Sequence, residues 1–136
     1  MTEKVCKDCV AEGVTTKRPA PHPGPRCTTH DRAVKKARRA ASHERMVQST
    51  YGLGPGDYER LYAAQGNHCA VSGCRATGKV KRLAVDHNHA TGEVRGLLCG
   101  PHNQLIGYNR DNPEAFRSLA EYLENPPARK VLNDGA

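Results

Sequence analysis

The chain has 136 residues, 37% of them hydrophobic, with one Phe, five Tyr and no Trp, and it carries a formal net charge of +7 at pH 7 with a pI near 9.3. That composition supplies little apolar surface for a core, so one compact domain with appendages is expected, held by a staple such as a structural metal. No run reaches membrane-spanning length and the opening MTEKVCKDC carries no apolar signal segment, which excludes a membrane-bound chain and makes the cytoplasm the expected compartment.

Residues 1–31 read as a zinc module. A reducing compartment disfavours disulfides, and so does the arithmetic, because three of the six cysteines precede Thr28 and three lie between Cys69 and Cys99, an odd number in each half. Histidine completes both sets. The first reads Cys6-x2-Cys9, seventeen residues, then Cys27-x2-His30; the second reads Cys69-x4-Cys74, twenty-four residues, then Cys99-x2-His102. Two short knuckles joined by a longer loop bring four soft or borderline ligands to the corners of a tetrahedron, the geometry of a closed structural zinc site. Two structural Zn2+ ions are therefore expected. The loop TTKRPAPHPGPRC in the first module holds four prolines and a glycine, so irregular backbone is expected there, with His22 exposed.

From Asp31 the sequence turns Ala-rich, DRAVKKARRAASHERMVQSTYG, with no Pro or Gly before Gly52. It predicts a helix with Asp31 or Thr29 at its N-cap and Gly52 and Gly54 at its end. Arg32, Lys35, Lys36, Arg38, Arg39 and Arg45 stand on it against Glu44, which suits a polyanion; Lys35, Lys36, Arg38 and Arg39 are the candidate phosphate contacts. A charge run of this kind also fits a merely solvated helix. A second helix is predicted over 55–65, with Tyr58, Leu61 and Tyr62 on one apolar face. Residues 32–66 thus form a basic helix and a connecting helix.

Residues 67–125 are expected to form the core of the protein. CAVSGC makes a knuckle, LAV a short strand ending at Asp86, ATGE a turn, VRGLLC the returning strand, and GPHNQLIG one to two helical turns before Gly107. Residues 126–136 read as a tail.

The stretch VDHNHATGEVRGLLCGPHN, with Cys69-x4-Cys74 upstream and DNPEAFRSLAEYL downstream, resembles the recombination endonuclease VII family of the HNH or ββα-metal (His-Me finger) nucleases. The resemblance spans about 52–123. It implies a small α+β fold: a zinc-stabilised ββα-metal nuclease core with flanking helices, here with an added N-terminal zinc module. It also implies a Mg2+- or Mn2+-dependent DNA endonuclease in which Asp86 and Asn103 bind the catalytic metal and His87 activates water, leaving 5′-phosphate and 3′-hydroxyl ends. For His89 it suggests a place at the metal or scissile phosphate, against the plainer alternative of a hydrogen bond within the turn. The resemblance suggests phage origin, and hence the host cytoplasm.

The chemistry fits those residue types. Phosphodiester hydrolysis needs a base, charge neutralisation and leaving-group stabilisation, and one hard divalent ion can supply the last two with only one or two protein oxygens as ligands. The Asp86 carboxylate and Asn103 amide oxygen meet that need, and an imidazole at His87 titrates near neutrality. Adjacent residues on a regular strand face opposite sides, so one site for Asp86 and His87 requires a departure from strand geometry at that step. Arg95 could contact phosphate, although on a two-stranded ribbon such a residue is often solvated, while Asn88 reads as structural; for Asp86 and Asn103 the plain alternative is turn and cap duty. Three departures from the family plan are visible: His102 stands where a cysteine is usual, the N-terminal module is extra, and few residues follow NPEAFRSLAEYL, so the long helices of dimeric junction resolvases are not expected. DNA is the expected partner, by nicking or cleaving duplex or branched molecules with low sequence specificity; monomer and homodimer both stay open. The alternative is a non-catalytic, zinc-stabilised DNA-binding protein.

Overall fold

The computed structural model describes residues 4–14, 18–21 and 23–133, which divide into two compact units, 1–55 and 56–136. His22, expected to be exposed, lies outside the described residues. Among the described residues no helix is long and apolar enough to cross a membrane.

The N-terminal unit holds a short helix, α1 (Lys7–Ala11), and a long one, α2 (Thr28–Tyr51). Val5 and Pro19 form an isolated bridge, with Cys6 N donating to Arg18 O at 3.1 Å and Ala20 N to Lys4 O at 2.8 Å. A local core forms around Cys6, Cys9 and Cys27, against which the half-exposed Val14 packs. Helix α2 starts earlier than the sequence suggests. Its N-cap is Cys27 rather than Asp31 or Thr29, because Cys27 is extended (φ −69°, ψ 164°) and the helical turn begins at once, with Asp31 N donating to Cys27 O at 2.9 Å. His30 therefore belongs to the first turn of α2, so the ligand set and the basic helix share one element. Gly52, at φ +68°, ends the helix in the left-handed conformation that favours glycine.

The C-terminal unit holds α3 (Asp57–Ala64), β1 (Ala84–His87), β2 (Val94–Leu98), α4 (Gly100–Tyr108), α5 (Pro113–Glu124) and α6 (Pro127–Asn133). The segment expected to be a plain tail thus contains a helix, with Pro127 at a first-turn position where its missing N–H costs nothing. The strands form one antiparallel pair, and α4 runs through Gly107 to Tyr108. The fold is therefore small and α+β. Among the described residues of the C-terminal unit the buried side chains are Tyr58, Cys69, Leu83, Val85, Asp86, Leu97 and Leu98.

Side-chain amide and hydroxyl groups fasten α3 to this hairpin. Gln65, just past α3, accepts from Leu97 N (2.8 Å) and donates to Leu97 O (2.9 Å), pairing with the edge of β2 as another strand would. Gly96 leaves room for it: a Cβ there would meet Gln65 Oε1 at 3.1 Å. Tyr58 donates its hydroxyl proton to Leu83 O at 2.9 Å, just before β1.

Candidate active site and metal clusters

The two ligand sets predicted from spacing each come together, with the four ligand atoms within 4.8 Å of one another. Cys9 and Cys27 Sγ lie 3.9 Å apart, Cys74 and Cys99 Sγ 4.0 Å; His30 Nδ1 stands 3.3 to 3.4 Å from the sulfurs of Cys6, Cys9 and Cys27, and His102 Nδ1 3.2 to 3.4 Å from those of Cys99 and Cys69. A tetrahedron with Zn–S bonds of about 2.3 Å has sulfur–sulfur edges of about 3.8 Å. Donor type and spacing both fit Zn2+, and all six cysteines are free of disulfides. Crowding adds an electrostatic reason for a cation: burial, with hydrogen bonds to the neighbouring Cys6 and Cys27, pushes the Cys9 thiol up to about 11, since three thiolates cannot ionise together without one.

The same device opens both sites. Cys27 and Cys99 are extended N-caps, and the histidine three residues on sits in the first turn of the helix, α2 or α4. Outside the first cluster, Glu12 reaches His30 Nε2 at 3.0 and 3.2 Å, leaving Nδ1 to face the sulfurs. Carboxylates in that position orient a ligating imidazole and raise its basicity.

The hairpin carries the remaining candidates. Its turn is organised by Asn88, whose Oδ1 accepts from Ala90 N (2.8 Å) and Thr91 N (3.2 Å), a structural role as expected of it. The ladder slips at the Asp86 to His87 step: Asp86 pairs with Gly96 but His87 pairs with Val94, so Arg95 is an extra residue in β2. The extra residue bulges β2 opposite the Asp86 to His87 step, while Asp86 and His87 both stay in β1.

Around the slip, side chains join in a chain of contacts. Arg95 donates from Nε to Asp86 Oδ2 (2.7 Å) and from Nη2 to Asp86 Oδ1 (2.8 Å), and Nη2 also donates to Asp111 Oδ1 at 3.2 Å. Asp111 Oδ2 in turn lies 2.7 Å from His89 Nδ1 and accepts from His89 N at 3.2 Å; the ring centroids of His89 and His87 are 4.7 Å apart. His89 thus bonds to a residue beyond its own turn rather than within it. Those two bonds from His89, with Arg95 alongside, hold the Asp111 carboxyl down to about 2. Arg95, read as a phosphate contact or a solvated face residue, is bonded to two carboxylates, which hold its charge more firmly, and a third of its side chain stays exposed. Asp86 is 6% exposed and borders a cavity of about 500 Å³ with Arg95, Asp111, His102 and Phe116.

Asn103 is placed differently. It stands in the first turn of α4, one residue after His102, and borders a separate cavity with Ala84, Cys99 and Gln104; the cavity at Asp86 does not include it. Asp111 and Gln65 do not stand out in the sequence: both lie in short connections whose partners are distant in the chain. On α2, Lys35, Lys36, Arg38 and Arg39 are all exposed, with Lys35 tied to Asp31 at 2.8 Å.

Comparison with known proteins bears on this arrangement. The description of recombination endonuclease VII matches residues 44–125, from within α2 to the end of α5. This chain belongs to the recombination endonuclease VII family. As a member of that nuclease family it has DNA as its implied substrate. It is 48% identical over 132 residues to the gene 59 protein of Mycobacterium phage L5, covering 96% of this chain and 80% of the relative. It is 46% identical over the same length to the gene 59 protein of Mycobacterium phage D29, covering 96% and 79%. These likenesses extend over most of the N-terminal unit that the endonuclease VII match leaves out. No solved structure matches the chain.

Proposed function

We propose that the protein is a Mg2+- or Mn2+-dependent DNA endonuclease of the HNH, ββα-metal type, nicking or cleaving duplex or branched DNA with low sequence specificity. The observation that carries this reading is the contact chain Asp86, Arg95, Asp111, His89, His87, gathered where β2 gains an extra residue and where a Cys3His cluster joins β2 to α4.

Asp86 suits a cation. It is buried, and a guanidinium already lies against both of its oxygens, so the site is built around positive charge there. In this reading Asp86 would hold the divalent ion, with the Asn103 amide oxygen as the second protein donor that family membership suggests. When bound, such an ion neutralises the phosphate and stabilises the departing alkoxide. His87 takes the proton from the attacking water, and His89, whose ring is 4.7 Å from it, and Arg95 meet the phosphate. Lys35, Lys36, Arg38 and Arg39 hold backbone phosphates without reading bases. The closed Cys3His shells leave no position for water, so zinc in them is structural.

A second reading, a zinc-stabilised DNA-binding protein without catalysis, takes its support from the same Arg95 pair, which fills both Asp86 oxygens as a structural ion pair would. Plasmid nicking separates the two. His87→Ala is expected to lower the cleavage rate by about 10² to 10⁴-fold while DNA affinity and zinc content hold. Equal rates in wild type and variant would sink the catalytic assignment.

A further inference from the structure

We propose that Asp111 is a positioning residue for strand cleavage, acting through His89; this rests on the nuclease reading above. An ionised carboxylate only accepts hydrogen bonds, so the 2.7 Å contact from Asp111 Oδ2 assigns the proton of a neutral His89 ring to Nδ1 and leaves Nε2 with its lone pair. The contact also fixes the ring's rotation. His89 has a side chain 64% exposed, and an imidazole on a hairpin turn with that much freedom samples several rotamers unless something holds it.

Asp111 is itself held from both ends. Its Oδ2 receives the ring and the backbone N–H of His89, and its Oδ1 receives Arg95 Nη2 at 3.2 Å, so the carboxylate cannot turn without breaking one set. Its side chain is only 14% exposed. The backbone fixes the approach: Arg110 and Asp111 both adopt left-handed conformations, φ +53° and +57°, after α4, and Asp111 N donates to Ile106 O at 3.2 Å. This costly double turn returns the chain toward the hairpin between α4 and α5, and its product is one carboxylate placed on His89. The His89 ring then sits 4.7 Å from that of His87, the proposed base, and limits where that ring can lie. A merely structural ion pair with Arg95 accounts for Oδ1 but not for the double contact with His89.

The test uses the zinc-loaded full chain: wild type, Asp111→Ala, Asp111→Asn, His89→Ala and the His89→Ala with Asp111→Ala double variant. The measurements are plasmid nicking with Mn2+, DNA affinity, zinc content, and the nitrogen resonances of the His89 ring recorded without Mn2+. Asp111→Ala is expected to lower kcat about tenfold to a hundredfold with DNA affinity within about twofold, and to lose the Nδ1–H tautomer of His89. Asp111→Asn keeps an acceptor for Nδ1–H and should recover most of both signals. The double variant should nick within about twofold of His89→Ala alone. An unchanged kcat in Asp111→Ala, an unchanged His89 tautomer, or losses that multiply in the double variant would each overturn the proposal. If Asp111→Ala loses zinc, Asp111→Asn carries the test, and failure to differ from Asp111→Ala in tautomer and rate overturns it. A wild type that does not nick overturns the nuclease reading and the cleavage role with it, and the ring resonances still decide whether Asp111 sets His89.

Discussion

In both units a Cys-x2-His run opens a helix, with Cys27 and His30 at the start of α2 and Cys99 and His102 at the start of α4. Around the first, all three cysteines are buried and the histidine is backed by Glu12; around the second, only Cys69 is buried, while Cys74, Cys99 and His102 are half-exposed. The first cluster is the local core of its module, whereas the second lies at a junction, where β2 hands over to α4 beside an apolar core of Tyr58, Leu83, Val85, Leu97 and Leu98. The same local geometry therefore serves two purposes. In the N-terminal unit it substitutes for missing apolar side chains, and in the C-terminal unit it fixes the bearing of one element against another.

The strongest way to break this comparison is to remove one sulfur from each. Cys99→Ala should release one zinc per chain, unfold the hairpin region and abolish nicking, because a structural site contributes folding free energy directly. Cys27→Ala should also release one zinc but leave the C-terminal unit folded and nicking; zinc stoichiometry, circular dichroism and plasmid cleavage report the difference. Loss of nicking in both would mean that the units do not work separately.

A smaller effect sharpens the contrast between the histidines. Glu12→Ala should weaken zinc binding at the N-terminal cluster by about tenfold to a hundredfold and leave the other cluster unchanged, measured by competition with a chelator. Equal release from the two clusters would remove the role of Glu12. The smallest effect concerns α2. Reversing charge at Lys35, Lys36, Arg38 and Arg39 should flatten the salt dependence of DNA binding by about 0.9 in slope for each phosphate the helix no longer neutralises, with both zinc ions retained. An unchanged slope would make α2 a solvated helix.

Both ligand sets could be read from the sequence, because a metal site is written as short knuckles whose spacing survives whatever loop lies between them. Three helices were legible too, α2 through Gly52 as its stop, α3 through the apolar face of Tyr58, Leu61 and Tyr62, and α4 through GPHNQLIG, and the hairpin through ATGE; α1 and α6 were not. The start of α2 is hidden because Cys27 acts at once as ligand and cap, and cysteine is not among the usual capping residues. Arg95 and Asp111 could not be placed from pattern alone. What Arg95 meets depends on a slip in pairing, and what Asp111 meets depends on two left-handed residues folding a loop back over some twenty positions of chain. Neither event leaves a periodic trace. Asn103 had the right neighbourhood in sequence but borders a cavity other than that of Asp86.

The extra residue at Arg95 makes the hairpin sensitive to length in a way that composition does not express. Since side chains on a strand alternate, deleting one position between Asn88 and Gly96 would restore a seamless ladder opposite the Asp86 to His87 step and remove the extra residue from which Arg95 reaches both acids. Substitutions at Thr91 or Glu93 leave that count intact. A randomised library of this loop would therefore tolerate many spellings and almost no deletions.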